Sequence, residues 1–175
     1  MKQLCHQDQF SCDVPQCTYY THTCDFREDC MDGSDEQTCG TCDFEDSICG
    51  WTQDPKDNFD WTRFRGNTPS SFTGPDHDHT KGDSTGHYLY IESSSPRVEG
   101  DVANVESNVY RHSSHTCKLQ FWYNMNGANM GSLNGYLVTD AADPAKRVEN
   151  LLFHETGDKV RILDFQLGFP DVLPS

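Results

Sequence analysis

The stretch Cys24–Cys39, reading C-D-F-R-E-D-C-M-D-G-S-D-E-Q-T-C, constrains this chain more than any other. It holds the carboxylates of Asp25, Glu28, Asp29, Asp32, Asp35 and Glu36 against a single basic residue, Arg27, and three cysteines pin it. Like charges confined so closely repel, so either some carboxyls stay protonated or a cation sits among them. A hard dication with oxygen ligands answers that demand, and calcium takes roughly six to eight oxygens in irregular geometry. The segment up to Cys39 therefore reads as a cysteine-framed calcium cage.

Cysteines stand at positions 5, 12, 17, 24, 30 and 39. Between them the main apolar side chains are Leu4, Phe10, Val14, Tyr19 and Tyr20. So short a segment cannot bury enough surface to fold unaided, and crosslinks worth about 2–4 kcal/mol each must carry it together with the ion. Spacing alone does not choose among the possible connectivities. Zinc is the weaker reading, because the acidic loop favours a hard ion.

The whole chain has 175 residues, a formal net charge of −15 and a pI near 4.6. That balance argues against nucleic acid and against an anionic membrane surface as partners. Leu, Ile, Val and Phe make up about 18% of the residues, a share that permits disorder at this charge. Aromatic residues at 11% and nine cysteines oppose it. Many cysteines in a small acidic chain point to an oxidising compartment, and an odd count leaves at least one without an intrachain partner. Met1-Lys2-Gln3-Leu4 runs directly into Cys5 without an apolar leader, and no segment has the ~18 apolar residues of a membrane span. The expectation is a piece of a larger extracellular or lumenal protein, with a membrane-anchored parent and no direct membrane insertion by this segment. A short product lacking its parent's targeting signal fits the same observations.

After a Gly40-Thr41 linker the pattern changes to strands. Cys117, Leu119, Phe121, Tyr123 and Met125 alternate with Lys118, Gln120, Trp122 and Asn124, which gives one apolar face. Residues 135–139 and Tyr88–Ile91 read as further strands, with Gly, Asn, Ser and Pro clusters between. Apolar spacing of three to four never persists for a helix, so the segment is expected to be an antiparallel β-sandwich with short strands and long loops.

Two resemblances sharpen this reading. The run C-x6-C-x4-C-x6-C-D-x3-D-C-x-D-G-S-D-E-x2-C over residues 5–39 resembles an LDL-receptor class A module. That resemblance implies the pairs Cys5–Cys17, Cys12–Cys30 and Cys24–Cys39. It implies calcium held by the side chains of Asp25, Asp29, Asp35 and Glu36 and by the backbone carbonyls of His22 and Arg27. Asp32 and Ser34 would shape the turn. Where ligand-binding members carry Trp, this chain has His22, and Arg27 adds positive charge beside the site, so a lysine-docking role is not carried over. From Cys42, the C-D-F-E…C-G-W opening, Phe59-Asp60-Trp61, the G-P-x-x-D-H-T run at 74–80 and Phe121-Trp122-Tyr123 are similar to a MAM domain over residues 42–155. This implies a jelly-roll-like sandwich, a Cys42–Cys49 disulfide and a late cysteine to pair with Cys117. No such cysteine follows. Residues 156–175 are therefore set apart as a divergent tail, the sandwich is expected to be incomplete at its C-terminus, and Cys117 to carry a free thiol. Val160, Ile162 and Phe165 would pair at most as a stray strand.

Asp76-His77-Asp78-His79 has the look of a metal motif, and the MAM resemblance points to a second cation site at Asp43, Asp78 and Thr80. The competing reading, favoured here, is a turn capped by side-chain hydrogen bonds. Trp51, Trp61 and Trp122 are assigned to the sandwich core or its lid. No G-x-S-x-G elbow, H-E-x-x-H or phosphate loop occurs, so no catalytic residues are assigned. The functional expectation is a non-enzymatic, calcium-stabilised binding or adhesion fragment. Its partner would be an extracellular protein ligand or a homophilic MAM contact. The alternative is a non-catalytic accessory segment of a multidomain protease of the enteropeptidase or meprin type.

Overall fold

A computed structural model describes residues 5, 6, 8–23, 27–37, 41–110, 118–128, 130–139 and 145–168, with backbone alone for 118 and 160–168. Cys24, Asp25, Cys39 and Cys117, on which several expectations rest, lie outside the described residues.

The N-terminal lobe is held by sulfur. Strands β1 (Gln9–Ser11) and β2 (Cys17–Tyr19) pair antiparallel with Phe10 opposite Thr18. Disulfides join Cys5 to Cys17 and Cys12 to Cys30, and Cys12 and Cys30 are 0% and 1% exposed. In a lobe with so few apolar side chains, this buried crosslink is the core. Two single 3-10 turns, Tyr20–His22 and Ser34–Glu36, complete the described part. The second starts from Gly33 at φ +65°, a left-handed position where a side chain would be strained.

Beyond Cys42, which bonds Cys49, the described chain is entirely strands and loops. The strands are β3 (Thr52–Gln53), β4 (Thr62–Arg65), β5 (His87–Tyr90), β6 (Val105–Glu106), β7 (Lys118–Met125), β8 (Ser132–Thr139), β9 (Val148–Thr156) and β10 (Lys159–Gly168). All pairs are antiparallel: β3 with β6, β4 with β5, β8 with β9, and β7 with β10. The period-two pattern of β7 works as expected. Leu119, Phe121 and Tyr123 turn inward and Met125 is 4% exposed, while Gln120 and Trp122 face out.

The core lies between β7 and the β8–β9 pair. Phe153, 6% exposed, meets the rings of Phe121 and Tyr123 edge-on at 5.1 Å each, a favoured aromatic geometry. Gly135 sits opposite Phe153 in the β8–β9 ladder, and a Cβ at Gly135 would come within 3.3 Å of the Phe153 Cβ. A side chain at Gly135 would crowd the base of Phe153 and touch Leu119 Cδ2 at 3.9 Å.

Three differences from the sequence reading have physical causes. β9 was not anticipated, because a bulge breaks its alternation: Gly135 pairs with Phe153 and Tyr136 with Leu151, so Leu152 is the extra residue. The segment set apart as a tail from 156 instead contains β10, whose backbone pairs with β7 from Gly168–Lys118 to Leu163–Tyr123, with an irregularity before Lys159–Met125. Trp122 is not core. It is 43% exposed because it falls on the outward phase of β7, and its ring stacks on His79 at 3.8 Å and 13°.

Candidate functional site

The acidic loop is organised by backbone donors. Asp35, 1% exposed, accepts the Asp29 N–H at 2.8 Å and the Cys30 N–H at 3.2 Å, one on each carboxylate oxygen. The Arg27 carbonyl accepts the same Asp29 N–H at 3.1 Å. His22 ends its 3-10 turn with Nδ1 3.8 Å from Asp29 Oδ1, and Glu36 follows Asp35 on the second turn, half-buried. Asp32 staples this loop to the hairpin: it accepts the Ser34 hydroxyl at 2.7 Å, the Ser34 N–H at 3.2 Å and the Val14 N–H at 2.9 Å. The Ser34 hydroxyl is the leading reason its carboxyl titrates below the usual range, against a smaller opposing push from burial. Gln16, which carries no motif, clamps the loop from the other side. Its amide donates to the Asp29 carbonyl at 2.8 Å and accepts the Met31 N–H at 2.9 Å.

The residues fit a hard cation by donor chemistry. Asp29, Asp35 and Glu36 supply carboxylate oxygens within one short loop. Among the described residues, these oxygens are not drawn together. The one trio of possible ligand atoms within 4.8 Å of one another is Cys12, Cys30 and Asp32. There the two sulfurs are already joined as a disulfide, which leaves no thiolate to bind a metal. Asp25, the remaining expected ligand, lies outside the described residues.

The second expected cation site looks different. Asp78, 3% exposed, accepts the Lys81 N–H at 2.9 Å and the Gly82 N–H at 3.1 Å, one on each oxygen, and so caps its own turn. Asp43 is exposed and accepts the Glu45 N–H at 3.0 Å, and Thr80 is exposed. Asp76 pairs with the neighbouring His77 ring.

A carboxylate hub beside this turn went unread in the sequence. Glu45, from the C-D-F-E opening, has a side chain 14% exposed. It accepts Lys81 Nζ at 2.5 Å, the His87 N–H at 2.8 Å and pairs with His87 Nδ1 at 3.1 Å. Burial pushes its carboxyl up, but the bonds from Lys81 and His87 outweigh this and bring it down to about 2. Arg63 donates to the carbonyls of Phe44 and Glu45, which fixes the backbone where Phe44 sits at φ +60°. A second hub is Glu92, on the wall of a groove of about 350 Å³ where Arg97 lies 4.4 Å over the Phe59 ring. Glu92 accepts the hydroxyls of Ser94 at 2.6 Å, Tyr90, and Ser70 at 2.8 Å. The Ser94 and Tyr90 hydroxyls lead in bringing its carboxyl down to about 2.

The family model described as MAM domain, meprin/A5/mu, matches residues 42–161, well over half of the chain. The chain belongs to the MAM domain family. Ahead of its MAM domain it carries a class A module, for the model of the low-density lipoprotein receptor domain class A matches residues 3–39. The MAM domain is similar to that of human MAM domain-containing glycosylphosphatidylinositol anchor protein 1, at 46% identity over 99 residues covering 54% of this chain and 10% of the relative. Human MAM domain-containing protein 2 is 38% identical over 120 residues, 69% of this chain and 16% of that protein. Rat MAM domain-containing glycosylphosphatidylinositol anchor protein 2 is 37% identical over 131 residues, 67% of this chain and 13% of that protein. The chain thus spans a small part of each relative's length.

Proposed function

We propose that this chain is a pair of extracellular, non-catalytic binding modules, the first stabilised by calcium. The observation that carries the reading is Asp35, a carboxylate 1% exposed inside a disulfide-framed acidic loop that matches the class A family. Bound there, calcium would supply charge neutralisation and a crosslink between loop segments. Asp29, Asp35 and Glu36, with Asp25 and the carbonyls of His22 and Arg27, are the residues to hold it. Disulfides at Cys5–Cys17, Cys12–Cys30 and Cys42–Cys49 support an oxidising, extracellular setting.

The partner in this reading is a protein surface, either another extracellular protein or a MAM domain on an opposing copy, and the parent is anchored at a membrane. The names of the relatives support this, since two are glycosylphosphatidylinositol anchor proteins and none names an enzyme. Among the described residues no helix is long and apolar enough to cross a membrane.

Calorimetric titration of the oxidised chain with calcium chloride tests the first half. Saturable uptake of one ion that Asp35→Asn abolishes is the expected result, and no heat from the unmodified chain would overturn it. Bead aggregation with and without calcium tests the second half: aggregation of coated beads with one another supports the homophilic form, and capture only of a different extracellular protein supports the other.

A further inference from the structure

The two modules touch through a contact built for closeness. Tyr20 opens the 3-10 turn of the class A module, and its ring lies against Gly50 of the MAM domain. A Cβ on Gly50 would fall 2.5 Å from the Tyr20 Cβ, 2.7 Å from its Cγ and 2.9 Å from Asn108 Nδ2. Gly50 also sits at φ +71°, so two independent constraints exclude a side chain there. The Asn108 amide donates to the Tyr20 carbonyl at 3.1 Å, and the Tyr20 hydroxyl meets Ser47 Oγ at 3.0 Å. The Phe10 ring packs edge-on to Tyr20 at 6.1 Å, and the crevice between Phe10, Thr23, Trp51 and Asn108 leaves only about 30 Å³. Modules joined by a short linker ordinarily move against each other unless such a contact holds them.

The same three-residue turn faces the acidic loop at its other end. The Tyr20 carbonyl accepts the Thr23 N–H at 3.2 Å and the Thr23 hydroxyl at 2.8 Å, which makes the turn a rigid unit. His22 then stands 3.8 Å from the Asp29 carboxylate. One end of the turn is bonded to the MAM domain, and the other end borders the expected calcium ligands.

We propose that the Tyr20–Gly50–Asn108 contact couples calcium occupancy of the class A module to its docking on the MAM domain, so that the ion fixes the angle between the two. This rests on the calcium reading above. Ordering His22 and Asp29 orders the turn, and the turn presents Tyr20 to Gly50 and Asn108. Any such coupling is reciprocal: loosening the contact must weaken calcium binding by the factor through which calcium tightens the contact, typically about fivefold or more.

Hydrogen exchange on the whole oxidised chain, with calcium chloride, magnesium chloride or chelator, reads both ends. Calcium should slow exchange in residues 27–37, and should slow residues 47–51 about fivefold or more. Asn108→Ala, which removes the bond to the Tyr20 carbonyl, and Gly50→Ala, which sets a methyl against the Tyr20 ring, should cancel the second effect, retain the first at saturating calcium, and weaken calcium affinity by a matching factor. Slowing in 27–37 with no change in 47–51 overturns the coupling and leaves the calcium module standing. No response in either segment removes both. Unchanged calcium affinity in both variants also overturns the coupling, because Asn108→Ala deletes a single amide and adds no bulk to either module.

Discussion

A Cβ placed on Gly86 would lie 1.9 Å from Oδ1 and 2.1 Å from Cγ of Asp78, the buried carboxylate that caps its own turn. The two residues occupy one another's space. Gly86→Ala must therefore push Asp78 off the Lys81 and Gly82 N–H groups. The expected cost is about 1–3 kcal/mol, the usual range for forcing extra volume into a packed site. Urea unfolding followed by tryptophan fluorescence measures it, and an unchanged midpoint would show that the turn re-forms elsewhere.

Acid should unfold the MAM domain through its two carboxylate hubs. Glu45 and Glu92 fall from an ordinary 4.5 to about 2 in the folded chain. A depressed carboxyl contributes stability that is present above its unfolded value and is lost as pH falls toward its folded value. Stability should thus decline between pH 4.5 and pH 2, and Glu45→Gln should flatten that decline while lowering stability at neutral pH. Thermal melts across the window test both statements.

Phe153 is the central apolar anchor of the described sandwich. Phe153→Ala should cost about 3–5 kcal/mol, since Gly135 opposite offers no side chain to fill the cavity. Trp122→Ala, on the outward phase of β7, should cost far less. Chemical denaturation of the pair separates them, and equal losses would contradict the assigned faces of β7.

Asp35→Asn keeps an acceptor for a backbone N–H but removes the charge. Calcium affinity should fall by orders of magnitude while the Cys12–Cys30 bond still forms. Titration and disulfide mapping under non-reducing conditions give the two readouts. Retained affinity would remove Asp35 from the ligand set.

What the sequence made legible was local. The acidic loop could be read because its carboxylates and cysteines lie within a few residues of one another, and β7 because Leu119, Phe121, Tyr123 and Met125 alternate without interruption. The hub at Glu45 could not be read. Its partner His87 is 42 residues away, and nothing in either neighbourhood signals the other. Gln16 escaped for the same reason, as an unremarkable amide until the fold brings it to Asp29 and Met31. Long-range hydrogen bonds leave no periodic trace. The segment after 156 departs from the family's closing pattern and yet carries β10, the strand expected at most as a stray pairing of Val160, Ile162 and Phe165, and its backbone pairs with β7.

The extra residue at Leu152 makes β9 a strand with two orientations. Leu151 is 54% exposed and Phe153 is 6% exposed, although they are two apart and an unbroken strand would point them the same way. Loss of that one leucine would leave Leu151 and Phe153 adjacent and on opposite faces, as they already are. The ladder would close without a kink, Gly135 still meeting Phe153 and Tyr136 still meeting Leu151, so the hairpin would lose its local bend and keep its core.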